Sequence, residues 1–138
     1  LYQHHLKQGI TVIRRYEDAP KILCYPDELS QVWMNLVFNA IQAMQQRGTL
    51  EIAVFKSEGE KLVVQITDSG CGIPEELQER IFEPFFTTKP TGEGSGLGLE
   101  IVQKIVVKHQ GSITVESRPG RTTFRVFLPM LKAKDLST

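Results

Sequence analysis

Five amides fall along one stripe of a single periodic segment. Gln31, Asn35, Asn39, Gln42 and Gln46 are separated by four, four, three and four residues, a repeat that puts them on one side of a helix. Asparagine inside a helix costs roughly 0.7 kcal/mol relative to alanine, so two of them one turn apart need a reason. Such a stripe is either a solvated face or a set of neutral oxygen ligands and donors aimed at a metal–phosphate group, since hard cations such as Mg²⁺ take oxygen ligands. A second group is Asp68-Ser69-Gly70-Cys71-Gly72-Ile73. Its aspartate either caps the helix that follows Pro74 or accepts a hydrogen bond from an exocyclic amine, with Gly70 and Gly72 letting a flat ring lie against bare backbone. The third group, Gly92-Glu93-Gly94-Ser95-Gly96-Leu97-Gly98, places glycine at alternate positions directly ahead of a helix. Loop amides in front of a helix N-terminus make an anion site, and a triphosphate is a natural ligand for one. Just upstream, Phe82-Glu83-Pro84-Phe85-Phe86-Thr87-Thr88-Lys89 sets three aromatics beside the glycine run. That combination reads as a lid that packs down over a ligand rather than as a flexible surface loop. Lys89, the only cation between Arg80 and Lys104, is placed to meet phosphate oxygens.

The elements that must position these groups follow from periodicity. Leu29, Val32, Trp33, Leu36, Val37, Ala40, Ile41 and Met44 recur at helical spacing, predicting a helix from about Glu28 to Gln46, with Asp27 as N-cap and Gly48 as its stop. Ile10–Tyr16 reads as a strand. Leu50, Ile52 and Val54, then Leu62, Val64 and Ile66, alternate in two strands joined at Glu58-Gly59-Glu60. A short helix is expected from Glu75 to about Ile81, and a longer one from Leu97 to Gln110 with Gly111 as C-cap. Ser112–Ser117 and Thr122–Leu128 form a last hairpin. Hairpins and amphipathic helices without regular strand–helix alternation predict an α+β fold, a two-layer α/β sandwich whose mixed, mostly antiparallel sheet carries helices on one face. Residues 1–8 read as a linker or the end of an upstream helix, 9–129 as one domain, and 130–138 as a polar tail.

Composition bounds the partners. The chain has 138 residues, 41% hydrophobic, with 16 basic and 16 acidic side chains. That is enough for one domain with a real core, and net charge zero removes the chain-wide attraction that nucleic acid or an anionic membrane would need. Cys24 and Cys71 lack metal-ligand spacing and form no disulfide framework, which fits a reducing, cytoplasmic compartment. No apolar stretch is long enough to span a bilayer, because charges such as Lys104 and Lys108 interrupt it, and no secretory signal appears. The absence of an initiator Met reads as a domain cut from a longer parent. The glycine run matches neither the P-loop nor the dinucleotide fingerprint.

Taken together, Asn35-Leu36-Val37-Phe38-Asn39-Ala40, Asp68-Ser69-Gly70-Cys71-Gly72-Ile73, Phe82-Glu83-Pro84-Phe85 and Gly94-Ser95-Gly96-Leu97-Gly98-Leu99 resemble the N, G1, F and G2 boxes of bacterial sensor histidine kinases, in family order. Phe86-Thr87-Thr88-Lys89 and the Gln-Ala-Met after the first box resemble the nitrogen-regulation subgroup. The resemblance implies the Bergerat fold, with ATP and Mg²⁺ as cofactors. It implies Asn39 as the metal ligand, Asn35 lining the phosphate end, and Asp68 on the adenine amino group. Gly70, Gly72 and Ile73 would shape the base pocket, and Gly94, Ser95, Gly96, Leu97 and Gly98 would meet phosphates. Phe85, Thr88 and Lys89 would act from the lid. Thr122 would hydrogen-bond near the adenine, although Arg121 stands where many relatives carry a second glycine. ATP-hydrolysing relatives carry a glutamate base at the Asn35 position. An amide has no comparable basic site, so phosphoryl transfer is expected in preference to hydrolysis, with Asn35, Asn39 and Lys89 as the catalytic set.

The implied acceptor is a histidine on a separate dimerisation and phosphotransfer domain of the same parent, with a response regulator served indirectly. His4 and His5 lack the acidic neighbour and proline of the family's acceptor motif and read as bystanders, so the fragment is expected not to phosphorylate itself. His109 is expected to engage the free carbonyls at the end of its helix. Two other readings differ in class: a nucleotide-regulated interaction module without kinase activity, and a serine kinase resembling the anti-sigma-factor kinases.

Overall fold

The computed structural model describes residues 2–7, 9–17, 22–45, 47–84 and 98–130. Six strands make one sheet in the order β1-β2-β3-β4-β6-β5: β1 Tyr2–Lys7, β2 Ile10–Tyr16, β3 Gly48–Lys56, β4 Lys61–Asp68, β5 Ser112–Arg118 and β6 Arg121–Pro129. β2 and β3 run parallel, and the other neighbouring pairs antiparallel. A parallel pair needs a crossover, supplied here by α1, Pro26–Ala43. With α2, Glu75–Gln78, and α3, Gly98–Lys108, this is the expected two-layer sandwich.

The helical face of the sheet holds the core. Val32, Leu36 and Ala40 of α1 and Val102 and Val106 of α3 pack on inward-facing residues such as Leu50, Ile66 and Val126. Each large aliphatic side chain so buried stabilises the fold by about 2 kcal/mol. On the opposite face Val63 is also fully buried, between its register neighbours Phe55 and Phe127. Polar pairs flank that strip: Arg15 with Glu51 at 3.4 Å, and Arg125 with Gln65 at 2.7 Å and with Glu116. Among the described residues no helix is long and apolar enough to cross a membrane.

Several local expectations are corrected. Residues 2–7 are neither linker nor helix end. Gly9, at φ 95°, turns the chain so that β1 pairs antiparallel with β2 and satisfies what would otherwise be an open edge. Asp27 is not the N-cap of α1. Tyr25 is, Pro26 takes the first helical position, where its missing N–H costs nothing, and Asp27 falls in the first turn. α1 ends at Ala43 rather than near Gln46, and Gly48 opens β3 instead, donating its N–H to the Gly9 carbonyl at 3.0 Å. α2 is a single turn, shorter than expected. After α3 the left-handed position is Gln110, φ 62°, not Gly111. Gly111 is required for a different reason: a Cβ there would lie 2.3 Å from the Phe127 carbonyl oxygen.

The far ends of α1 and α3 are joined through His109. Its Nδ1 donates to the Ile105 carbonyl at 2.8 Å, as expected of a residue at the end of its helix. Its Nε2 accepts the Tyr25 N–H at 3.0 Å, a donor that α1 itself cannot satisfy. Beside it, Lys108 pairs with Glu28 at 2.7 Å and lies 4.5 Å over the Tyr25 ring.

Candidate functional site

At one end of the sheet the inward face changes from apolar to polar. β4 finishes on Asp68, Thr122, the second residue of β6, lies directly across from it, and Ser117 of β5 pairs with Thr122. Asp68 is 4% exposed and Thr122 3%. One carboxylate oxygen of Asp68 accepts the Gly70 N–H at 2.8 Å, so Asp68 folds its own loop rather than capping the helix beyond Pro74. Burial pushes its carboxyl above the ordinary aspartate value, and the Gly70 hydrogen bond opposes that in part.

The loop after Asp68 is tied on both sides. The Cys71 N–H reaches the Ala43 carbonyl at the end of α1, 3.3 Å, and the Gly70 carbonyl accepts the Gly120 N–H, 2.9 Å. The Ile73 N–H donates to Ser117 Oγ at 2.7 Å, and Ser117 Oγ lies 2.6 Å from Thr122 Oγ1. Gln78 Nε2 donates to the carbonyls of Ile73 and Ser117, at 2.9 and 3.2 Å. Both glycines are needed here. A Cβ on Gly70 would sit 2.6 Å from the Ala43 carbonyl oxygen, and one on Gly72 2.6 Å from that of Arg118, with Gly72 at φ +85°. Gly72→Ala is therefore expected to cost about 3 kcal/mol, as backbone overlap is added to a left-handed conformation. Gly120, at φ +87° with open space around it, should cost only about 1 kcal/mol as Ala. Urea unfolding of the two variants tests this, and equal losses would mean that the loop is not seated against the β5–β6 turn.

The second part of the site is on the helices. Asn35 Nδ2 donates to the carbonyl of Gly98, the first residue of α3, at 3.4 Å. Asn39 is half-buried one turn further along α1. Of the remaining stripe, Gln31 is exposed and Gln42 half-buried. Thus the structure brings together Asp68, Gly70, Gly72, Ile73 and Thr122 around one loop, and Asn35 with Gly98 where α1 meets the N-terminus of α3. Phe85, Thr88, Lys89, Gly94, Ser95, Gly96, Leu97 and Gln46 lie outside the described residues, as does the tail beyond residue 130. Among the described residues no cluster of His, Cys, Asp and Glu could hold a metal by itself. A neutral amide oxygen on Asn39 fits a magnesium ion that arrives with phosphate oxygens and waters as its other ligands.

Ser117 and Gln78 carry no motif that marks them in the sequence. For Ser117 a signal exists: it follows Ile113 and Val115 at period two and is the polar residue that ends an apolar row.

A polar end on a helix-backed mixed sheet, with the amides of α1 leading to the N-terminus of α3, is an arrangement suited to a nucleotide. Residues 24–132 match the histidine kinase-, DNA gyrase B-, and HSP90-like ATPase family, and the chain belongs to that family. Within it the chain is of the histidine kinase type. Sensor histidine kinase ZraS of Salmonella typhimurium is 40% identical over 116 residues, 83% of this chain and 24% of that protein. Sensory histidine kinase/phosphatase NtrB of Rhodobacter capsulatus is 38% identical over 132 residues, 86% of this chain and 37% of that protein. Among solved structures, the catalytic domain of histidine kinase ThkA superposes with a TM-score of 0.77 at 36% identity, covering 88% of this chain and 79% of that one. Full-length ShkA in complex with AMPPNP superposes with a TM-score of 0.79 at 26% identity, covering 91% and 27%. The chain spans about a quarter of the length of ZraS.

Proposed function

We propose that this domain binds Mg·ATP and donates the γ-phosphoryl group to a histidine on a separate dimerisation and phosphoacceptor domain of its parent protein, from which a response regulator is served. The reading places the domain in the cytoplasm, where ATP is available.

The observation that carries it is the state of Asn35. Its amide nitrogen is engaged with the Gly98 carbonyl, and an amide has no atom able to take a proton from water at neutral pH. A site that holds a triphosphate without a base for water is suited to transfer, which needs positioning and charge stabilisation above all. Asp68 accepts the adenine amino group, while Gly70, Gly72 and Ile73 shape the surface on which the ring lies. Gly98 presents the positive end of α3 toward the phosphates. Asn39 would hold magnesium through its amide oxygen. When bound, the ion supplies charge neutralisation across the phosphates. Lys89, Phe85, Thr88 and residues 94–97, which lie outside the described residues, would meet the phosphates as the resemblance implies. The kinship with sensor histidine kinases supports the choice of histidine as acceptor.

Labelling with γ-³²P-ATP tests the reading. The 138-residue chain should bind Mg·ATP, remain unlabelled alone, and label an added dimerisation domain carrying the acceptor histidine. Strong self-labelling would overturn the assignment of His4 and His5 as bystanders. Binding without any transfer to the acceptor domain would favour the nucleotide-regulated interaction module.

A further inference from the structure

The outward face of the last hairpin carries a surplus of positive charge. Phe124 and Val126 of β6 and Ile113 and Val115 of β5 pack against the core, so strand alternation turns Arg121, Thr123 and Arg125, and with them Glu116 and Arg118, to the face away from the helices. There they line an open cleft of about 340 Å³. Three guanidinium groups meet one carboxylate in it, although the chain as a whole is neutral. Part of the lining is already fixed. Arg125 donates to Gln65 at 2.7 Å and pairs with Glu116, while Thr123 is 3% exposed with its hydroxyl 3.0 Å from that of Thr67. Arg118 and Arg121 have no ion pair among the described residues. They are register partners, directly opposite each other at the end of the hairpin, and like charges so placed destabilise a sheet. An anion shared between them reverses the sign of that cost. The turn that joins them is tied down, because the Gly120 N–H donates to the Gly70 carbonyl at 2.9 Å and Gly72 leaves no room for a Cβ beside the Arg118 carbonyl.

We propose that this cleft binds a small phosphomonoester through its phosphate dianion, at a site on the opposite face of the sheet from Asp68. With Glu116 engaged by Arg125, the charges of Arg118 and Arg121 are left for a ligand, which matches a dianion. The donor fork of arginine suits phosphate and carboxylate oxygens alike. Geometry favours phosphate: Arg118 and Arg121 come from different strands and Arg125 lies further along β6, so donors approach from several directions. A tetrahedral phosphate has an oxygen for each, whereas a carboxylate holds its two oxygens in one plane. The cleft is open on one side, so the organic part of the ester can extend toward solvent. The sheet separates this site from the proposed nucleotide site, and either assignment can fail without the other.

The test is a titration of the 138-residue chain with inorganic phosphate and with glycerol 3-phosphate, at constant ionic strength against chloride, followed by the NMR shifts of backbone amides and arginine Nε–H groups. Saturable shifts centred on Arg118, Arg121 and Thr123 are expected for both probes. Arg118→Gln and Arg121→Gln should each weaken binding about tenfold, the worth of one charge-assisted contact. Arg15→Gln, which removes the same charge elsewhere on the open face, should leave affinity within about twofold. Phosphate should also raise the melting temperature of the wild type more than that of a variant carrying both cleft substitutions, since a ligand held only by the folded state stabilises it. Absence of saturable shifts overturns the proposal, and so does binding that survives unchanged in the double variant. Succinate binding as tightly as phosphate would overturn the choice of a phosphoryl group.

Discussion

Asp68→Asn is expected to lower ATP affinity about 100-fold, or roughly 2.7 kcal/mol, without lowering the stability of the fold. The reason lies in the count of acceptors. One carboxylate oxygen is committed to the Gly70 N–H, leaving the other for the base. Asparagine has a single oxygen, which the loop will keep for Gly70, so its NH₂ group faces the adenine amino group, donor against donor. Stability moves the other way. Burial raises the folded-state pKa of Asp68 above its ordinary value, so the folded protein holds this proton more tightly than the unfolded chain does. The ionised carboxylate therefore costs stability. That cost is absent below the ordinary aspartate range, grows as pH rises through the raised value, and is full above it. The Asn variant escapes it, so denaturation at neutral pH should show it to be at least as stable as the wild type. ATP affinity of the wild type should fall as acidification protonates Asp68, and the Asn variant should lack that component. Affinity within threefold of the wild type would show that the base does not rest on this carboxylate.

Asn39→Ala should have an effect of similar size at the other end of the nucleotide. The magnesium-dependent part of ATP affinity should disappear and transfer to an acceptor domain should fall at least 100-fold, which corresponds to roughly 2.7 kcal/mol of lost stabilisation. Binding of nucleotide without magnesium, anchored at Asp68, should persist. Helix propensity makes the variant slightly more stable, by about 0.7 kcal/mol, because alanine replaces a poor helix former in α1. A protein that becomes more stable while losing its metal-linked binding separates the role of this residue from a structural one. Unchanged affinity in magnesium would mean that the metal is held elsewhere.

Much of this arrangement was legible in the sequence because local pattern and tertiary environment agree. The alternation of Leu62, Val64 and Ile66 gave β4 with its inward face, and Asp68 continues the same alternation as a charged residue, which marks where that face turns polar. The spacing of Val32, Leu36 and Ala40 likewise gave the buried side of α1 and put Asn35 and Asn39 together. β1 was not legible, since Tyr2–Lys7 has no apolar alternation and forms a strand because the edge of β2 accepts it. The capping of α1 by His109 was hidden for another reason: the two partners are 84 residues apart, and nothing local links them. Gly111 reads as a cap because glycine tolerates left-handed backbone, whereas its neighbour Gln110 adopts that conformation and the glycine clears the Phe127 carbonyl. Sequence reasoning sees that a glycine is needed more readily than it sees which of two needs it meets.

The position of β4 in the sheet bears on how the protein fluctuates. β4 is hydrogen-bonded along its whole length to β3 on one side and β6 on the other, whereas β1 and β5 each have one strand neighbour. Backbone amides of doubly paired strands exchange with solvent through the largest openings of a protein, and those of edge strands through local fraying. Asp68 is the last residue of β4, and Thr122 faces it from β6. The carboxylate proposed to meet the base is therefore rooted in a doubly paired strand, away from the fraying edges. The β1 margin of the sheet can breathe while the Asp68–Thr122 end keeps its shape.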